Sequence, residues 1–147
     1  MRRAFFLVVP ALLLSAVSVR SEVAIDNVYD FLSAQAAVYK EGSSASVERF
    51  VAFLAEDVKD FHVAYGREFS GKEHFRENMP RKAQALIEYE RKISQVNVGT
   101  NVAIAIFHER SKERKQDGVV KDYDGRTIVV LDFNDEGLIT QIRRYQD

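Results

Sequence analysis

Arg126-Thr-Ile-Val-Val-Leu-Asp-Phe133, Asn134-Asp-Glu-Gly137 and Leu138-Ile-Thr-Gln-Ile-Arg-Arg-Tyr145 make up the stretch whose reading decides the fold of this chain. The first run is almost unbroken in apolar and β-branched residues, the mark of a strand with both faces partly covered. Asn, Asp, Glu and Gly supply a turn, with Gly137 free to take positive φ. The third run completes a hairpin. Everything upstream is expected to cover this hairpin or pair with it.

Working back from it, Lys115-Gln-Asp-Gly118 reads as a solvated turn, and residues 102–107 form a run that is apolar on both faces. Such a run sits centrally in a sheet and continues here in charged form to Arg114. Residues 86–98 alternate imperfectly and join it through Gly99-Thr-Asn101. Before the strands the period is helical. Val28, Phe31, Leu32 and Tyr39 share a face, with Asp26 or Asn27 as cap, and Val47, Phe50, Val51 and Leu54 form a second stripe. Ser43, Ser44 and Ser46 supply helix-cap chemistry between them. Phe61-His-Val-Ala-Tyr65 reads as a short strand. Ser70-Gly-Lys-Glu73 has the form of a capping box, opening a helix that Pro80 is expected to stop. Helices ahead of an antiparallel sheet mean α+β.

Composition narrows the function. The 147 residues carry 21 Lys and Arg against 22 Asp and Glu, so no basic excess supports nucleic-acid binding. With no Cys there is no disulfide, zinc-thiolate site or cysteine nucleophile. The three histidines, His62, His74 and His108, fall on separate elements without metal-ligand spacing, so neither a metal nor a cofactor is expected. At the start, Arg2-Arg3, an apolar stretch and Ala16-Val-Ser18 have the form of a secretory signal peptide over residues 1–20. The apolar run is short for a membrane span. The expected mature protein is secreted or periplasmic, has no stable membrane anchor after cleavage, and is one domain over residues 24–147.

The element order, together with two local stretches, resembles the NTF2-like superfamily and its SnoaL-like branch. The stretches are Tyr65-Gly-Arg-Glu-Phe-Ser-Gly-Lys-Glu-His-Phe75 and Gly137-Leu-Ile-x-x-Ile-x-x-Tyr145, and the resemblance spans residues 26–147. It implies a cone: three N-terminal helices packed on a strongly curved, mostly antiparallel sheet around a deep pocket. Aligned with the ketosteroid isomerases of that fold, His62 falls where the Asp base would sit, Val129 near the hydrogen-bonding Asp, and Gln35 close to the first-helix Tyr. All three differ, so steroid isomerisation is not expected.

Strand alternation then supplies candidate site residues. If Ile104 and Ile106 face the cone, so do His108 and Arg110. His62 enters from the short strand and Tyr65 sits at its end. Two imidazoles in one pocket can exchange a proton near neutral pH, which makes His62 and His108 the catalytic candidates, although each can equally be a hydrogen-bonded structural residue. Tyr65, Phe75, Met79, Ile104, Ile106, Val129, Leu131 and Phe133 are the expected ligand walls, with Arg110 orienting an anionic group or forming a surface ion pair. His74 is expected to be exposed. The reading is a pocket for a small, largely apolar molecule. The alternative is a non-catalytic interaction module, and either form is expected to be a homodimer through the outer sheet face.

Overall fold

The computed structural model describes residues 22–147. The proposed signal peptide therefore lies outside the described residues. Helices α1 (Ile25–Glu41) and α2 (Ser44–Val51) lead into strand β1 (Leu54–His62). A single 3-10 turn (Val63–Tyr65), strand β2 (Arg67–Ser70) and helix α3 (Lys72–Ala85) follow. Four long strands end the chain: β3 (Leu86–Val98), β4 (Val102–Arg114), β5 (Val120–Phe133) and β6 (Ile139–Gln146).

The strands form one sheet in the order β2-β1-β6-β5-β4-β3. Every neighbouring pair is antiparallel except β1 and β6, which run parallel, so the last strand is inserted beside the first. The expected turn at Gly137 forms, with φ 78° there and its N–H donated to Asn134 O at 3.0 Å.

Helix α1 buries Val28, Phe31, Leu32, Gln35 and Val38, a stripe at helical spacing, against the concave face of the sheet. Phe31 meets Phe50 of α2 at 5.4 Å, and Phe50 meets Phe75 of α3 edge-on at 5.5 Å, so one aromatic chain ties the three helices together. Under them lie Ala103, Ala105 and Phe107 from β4, Val129, Leu131 and Phe133 from β5, and Ile139 and Ile142 from β6.

That list corrects the phase of β4. Ala103, Ala105 and Phe107 are buried, whereas Ile104 is 37% exposed and stands with Ile106 on the outer face. Register forces this outcome. Ala105 pairs with Val129 and Ala103 with Leu131, and directly opposed residues of a sheet share a face. Once Val129 and Leu131 point inward the alanines must as well. Small residues there also let the helices approach the sheet closely.

Three local signals resolve differently from expectation. Ser70 ends β2 instead of capping α3, whose N-cap is Gly71 with no side-chain cap bond. Helix α3 runs through Pro80 to Ala85, since a proline costs one backbone bond while its fixed φ remains helical. Helix α1 begins after Ala24 without a side-chain cap. Ser43 does cap α2, accepting from Ser46 N at 3.1 Å.

Candidate functional site

Beyond the packed part of the core, the concave face opens into a cavity of about 720 Å³. Its floor is α1 and the middle of the sheet: Gln35, Tyr39, Asp60, Tyr89, Arg91, Glu109 and Arg144. Helix α3 supplies one wall through His74, Phe75, Asn78 and Met79, and β2 with the turn before it supplies Tyr65, Arg67 and Phe69. The far ends of β4 and β5 carry Glu113, Lys115, Lys121 and Asp122 to the rim.

At the centre is a buried ion pair. Arg144 Nε donates to Asp60 Oδ1 at 2.9 Å and its Nη2 to Oδ2 at 3.3 Å, with both side chains at most 11% exposed. The parallel pairing of β1 with β6 makes this possible, bringing residues 84 positions apart onto neighbouring strands. Burial alone would raise the Asp60 carboxyl. The Arg144 charge and a bond from His62 outweigh it and hold Asp60 below the usual aspartate value, ionised. Arg144 is shifted upward, because the Asp60 charge more than offsets its own burial.

His62 lies on the solvent side of that pair. Its Nε2 is 3.4 Å from Asp60 Oδ2, and its side chain is 32% exposed. Phe69 fixes the ring edge-on at 5.6 Å and stacks on His74 at 4.2 Å, so one phenyl ring separates two imidazoles. Asn78 Nδ2 stands 3.1 Å from His74 Nδ1 and also donates to the His74 carbonyl at 2.8 Å. Burial lowers the His74 pKa, which favours neutral imidazole with Nδ1 accepting from Asn78. Tyr39 and Tyr89 meet edge-on at 4.9 Å, and burial raises both pKa values, so both stay neutral phenols.

The structure thus sorts the candidate residues. His62, Tyr65, Phe75 and Met79 line the cavity. Val129, Leu131 and Phe133 point inward but are buried beneath the helices and do not line it. Ile104 and Ile106 are on the opposite face of the sheet, and His108 and Arg110 follow them there by the same alternation. His108 Nε2 is 2.9 Å from Asp124 Oδ1 and Arg110 Nε 3.1 Å from Asp124 Oδ2, with all three side chains more than half exposed. The two histidines expected to share a site therefore stand on opposite sides of a sheet. His74, expected in solvent, is the imidazole that joins His62.

The Asp60–Arg144 pair has a sequence signal of its own. Asp60 follows the buried Val58 by two residues, and Arg144 follows the buried Ile142 by two. A charge in phase with an inward apolar residue is carried inward with it. Among the described residues no cluster of three His, Asp or Glu could hold a metal ion, and no helix is long and apolar enough to cross a membrane.

Three helices over a curved, unclosed sheet of this order match many solved structures. The fold is NTF2-like. A protein from Shewanella denitrificans OS-217, provisionally named a SnoaL-like polyketide cyclase, superposes with a TM-score of 0.68 at 10% identity, over 84% of this chain and 92% of that one. A ketosteroid isomerase-like protein from Catenulispora acidiphila, solved with trimethylamine, gives 0.62 at 14% identity over 79% and 84%. The epoxide hydrolase/cyclase-like enzyme of pyran ring formation in salinomycin gives 0.60 at 14% over 81% and 89%. No family sequence model matches the chain, and no curated protein sequence does. At such identities the NTF2-like likeness is one of fold.

Proposed function

We propose that this NTF2-like protein takes a small organic molecule into the cavity, with His62 as the residue placed to exchange a proton with it. The observation that carries this reading is the chain Arg144–Asp60–His62, in which a buried, ionised carboxylate holds one imidazole at the edge of an open cavity. Asp60 orients the ring through its Nε2, and the other nitrogen is left for a ligand. Arg144 keeps Asp60 from taking the proton itself. The walls are more mixed than the largely apolar lining expected from the sequence: Phe69, Phe75 and Met79 offer apolar contact, and the floor is polar.

The neighbours support the small-molecule reading, since one was solved with trimethylamine bound and others carry cyclase or isomerase names. A test without a known substrate uses a carbon acid. Acetophenone in D2O should exchange its methyl protons faster with the wild-type protein than with His62→Gln, as followed by NMR. Equal rates would remove the proton-transfer role and leave a binding pocket.

Export, read from residues 1–20, is tested by N-terminal sequencing of the protein recovered outside the cytosol. Pairing of two copies through the outer face is favoured by Val102 and Ile104, each 37% exposed, beside the partly exposed Ile106, Ile128 and Val130. A dimer formed there leaves the cavity open, because the two lie on opposite sides of the sheet.

A further inference from the structure

The floor of the cavity holds polar groups that proton exchange at His62 does not use. Gln35 is 1% exposed, and neither its Oε1 nor its Nε2 has a hydrogen-bond partner. Arg91 Nε is also shut off from solvent without a partner, while the buried Tyr89 hydroxyl faces the Glu109 carboxylate. All three side chains adjoin the cavity. They are held near one another: Arg91 Nη1 donates to the Leu32 carbonyl at 3.2 Å, one helical turn before Gln35, and its guanidinium carbon lies 5.6 Å from the centre of the Tyr89 ring.

Buried polar groups in folded proteins are paired, so two unpaired side chains beside one cavity call for a partner that enters it. Their chemistry limits what that partner is. Gln35 offers two N–H donors and one carbonyl acceptor, and Arg91 one N–H. The set is rich in donors, with one strong acceptor among them. Formal charge at the floor cancels, because Arg91 faces Glu109 at 3.7 Å and Arg144 is matched by Asp60. A hydrocarbon would leave every one of these groups unpaired. A carboxylate would bring an unmatched charge and could not donate to Gln35.

We infer that the floor is a subsite for an uncharged carbonyl group that carries its own N–H, that is, a carboxamide or lactam edge. Its oxygen accepts from the Gln35 and Arg91 donors, and its N–H donates to Gln35 Oε1. This deepens the small-molecule reading and rests on it. The empty site keeps an unpaired amide inside the protein, so Gln35 trades stability for recognition.

Benzamide, benzoate and toluene share one ring and differ only in the head group, and NMR titration reads their affinities. Benzamide should bind the wild type at least about tenfold more tightly than toluene, the discrimination expected of one well-met buried hydrogen-bonding group. Gln35→Leu and Gln35→Met should bring the two affinities together, and each variant without ligand should have a higher Tm than the wild type. Benzamide binding no better than toluene, or a preference that persists in both variants, would overturn the subsite and leave the pocket standing. Tighter binding of benzoate would overturn its uncharged character. Failure of all three probes to bind would overturn the subsite and the pocket reading together.

Discussion

Arg144 on the last strand and Asp60 on the first form a two-point ion pair in the interior, at 2.9 and 3.3 Å, which among the described residues is joined by His62 at 3.4 Å. A pair of this kind is not a net gain over apolar residues of the same shape, but either half left alone is costly. Asp60→Asn should therefore lower stability by about 3–5 kcal/mol in urea unfolding, through an Arg144 charge left buried. Adding Arg144→Leu to Asp60→Leu should recover most of that loss. An Asp60→Asn protein as stable as the wild type would mean the guanidinium finds solvent.

Acid should unfold the protein through the same carboxylate. The folded pKa of Asp60 lies below its ordinary value of 3.8, so the unfolded chain takes the proton first. Its contribution is complete above that value and disappears as pH falls through the folded pKa. His74 adds a second window with the same direction. Burial lowers its pKa below 6.5, so the unfolded chain binds more protons there, and stability should already decline as pH drops below 6.5. Tm measured against pH should fall in two steps, with His74→Gln removing only the upper one.

The two serines with the sequence of a cap should respond differently. Ser43 accepts from the Ser46 amide at the start of α2, so Ser43→Ala should cost about 1 kcal/mol. Ser70 has the sequence of a cap but ends a strand, and Ser70→Ala should change stability by no more than about 0.5 kcal/mol. Denaturation midpoints of the two variants compare them directly.

Position 105 separates core from surface. Ala105 is fully buried, so a charge there should unfold the protein instead of only dividing a dimer. Ile104→Lys is the substitution that addresses the outer face. It should leave Tm nearly unchanged and shift light scattering toward the monomer at micromolar concentration. A wild type that is monomeric throughout would end the dimer reading.

Gly125 lies between Tyr123 and the chain's last residue. A Cβ there would come within 2.7 Å of the Asp147 carbonyl oxygen and 2.9 Å of the Tyr123 hydroxyl. Tyr123 lines the cavity and its hydroxyl sits 3.4 Å from Thr127 Oγ1. Gly125→Ala should cost about 1–3 kcal/mol and move the Tyr123 ring, visible as altered near-UV circular dichroism.

The last four strands were legible because their punctuation is local, whereas the short strand expected at Phe61–Tyr65 is the end of β1 followed by a 3-10 turn. Gly99-Thr-Asn101 and Lys115 to Gly118 bound β3 and β4, and both strands lie where the period placed them. The cone was legible through element order. The inward face of β4 was not, because two isoleucines outrank two alanines on any hydrophobic scale, and the deciding fact is which residue of β5 lies opposite. That is a property of pairing, invisible within one strand. The same gap sent His108 to the wrong side. Gln35 was visible only as the residue falling close to the first-helix Tyr of the ketosteroid isomerases. Its lack of partners emerges from α1, β3 and β4 meeting.

The insertion of β6 between β1 and β5 also governs when the molecule can exist. Until Ile139–Gln146 has been made, β1 has no neighbour but the four-residue β2, and Ile139, Ile142 and Arg144 are missing from the interior. A nascent chain of this topology cannot complete its sheet on the ribosome until nearly all of it has been synthesised, and pairing β1 with β6 closes a loop of 84 positions, which is slow. Such a chain remains threadable through a narrow channel for the whole of its synthesis, and exposed to proteases and chaperones for just as long.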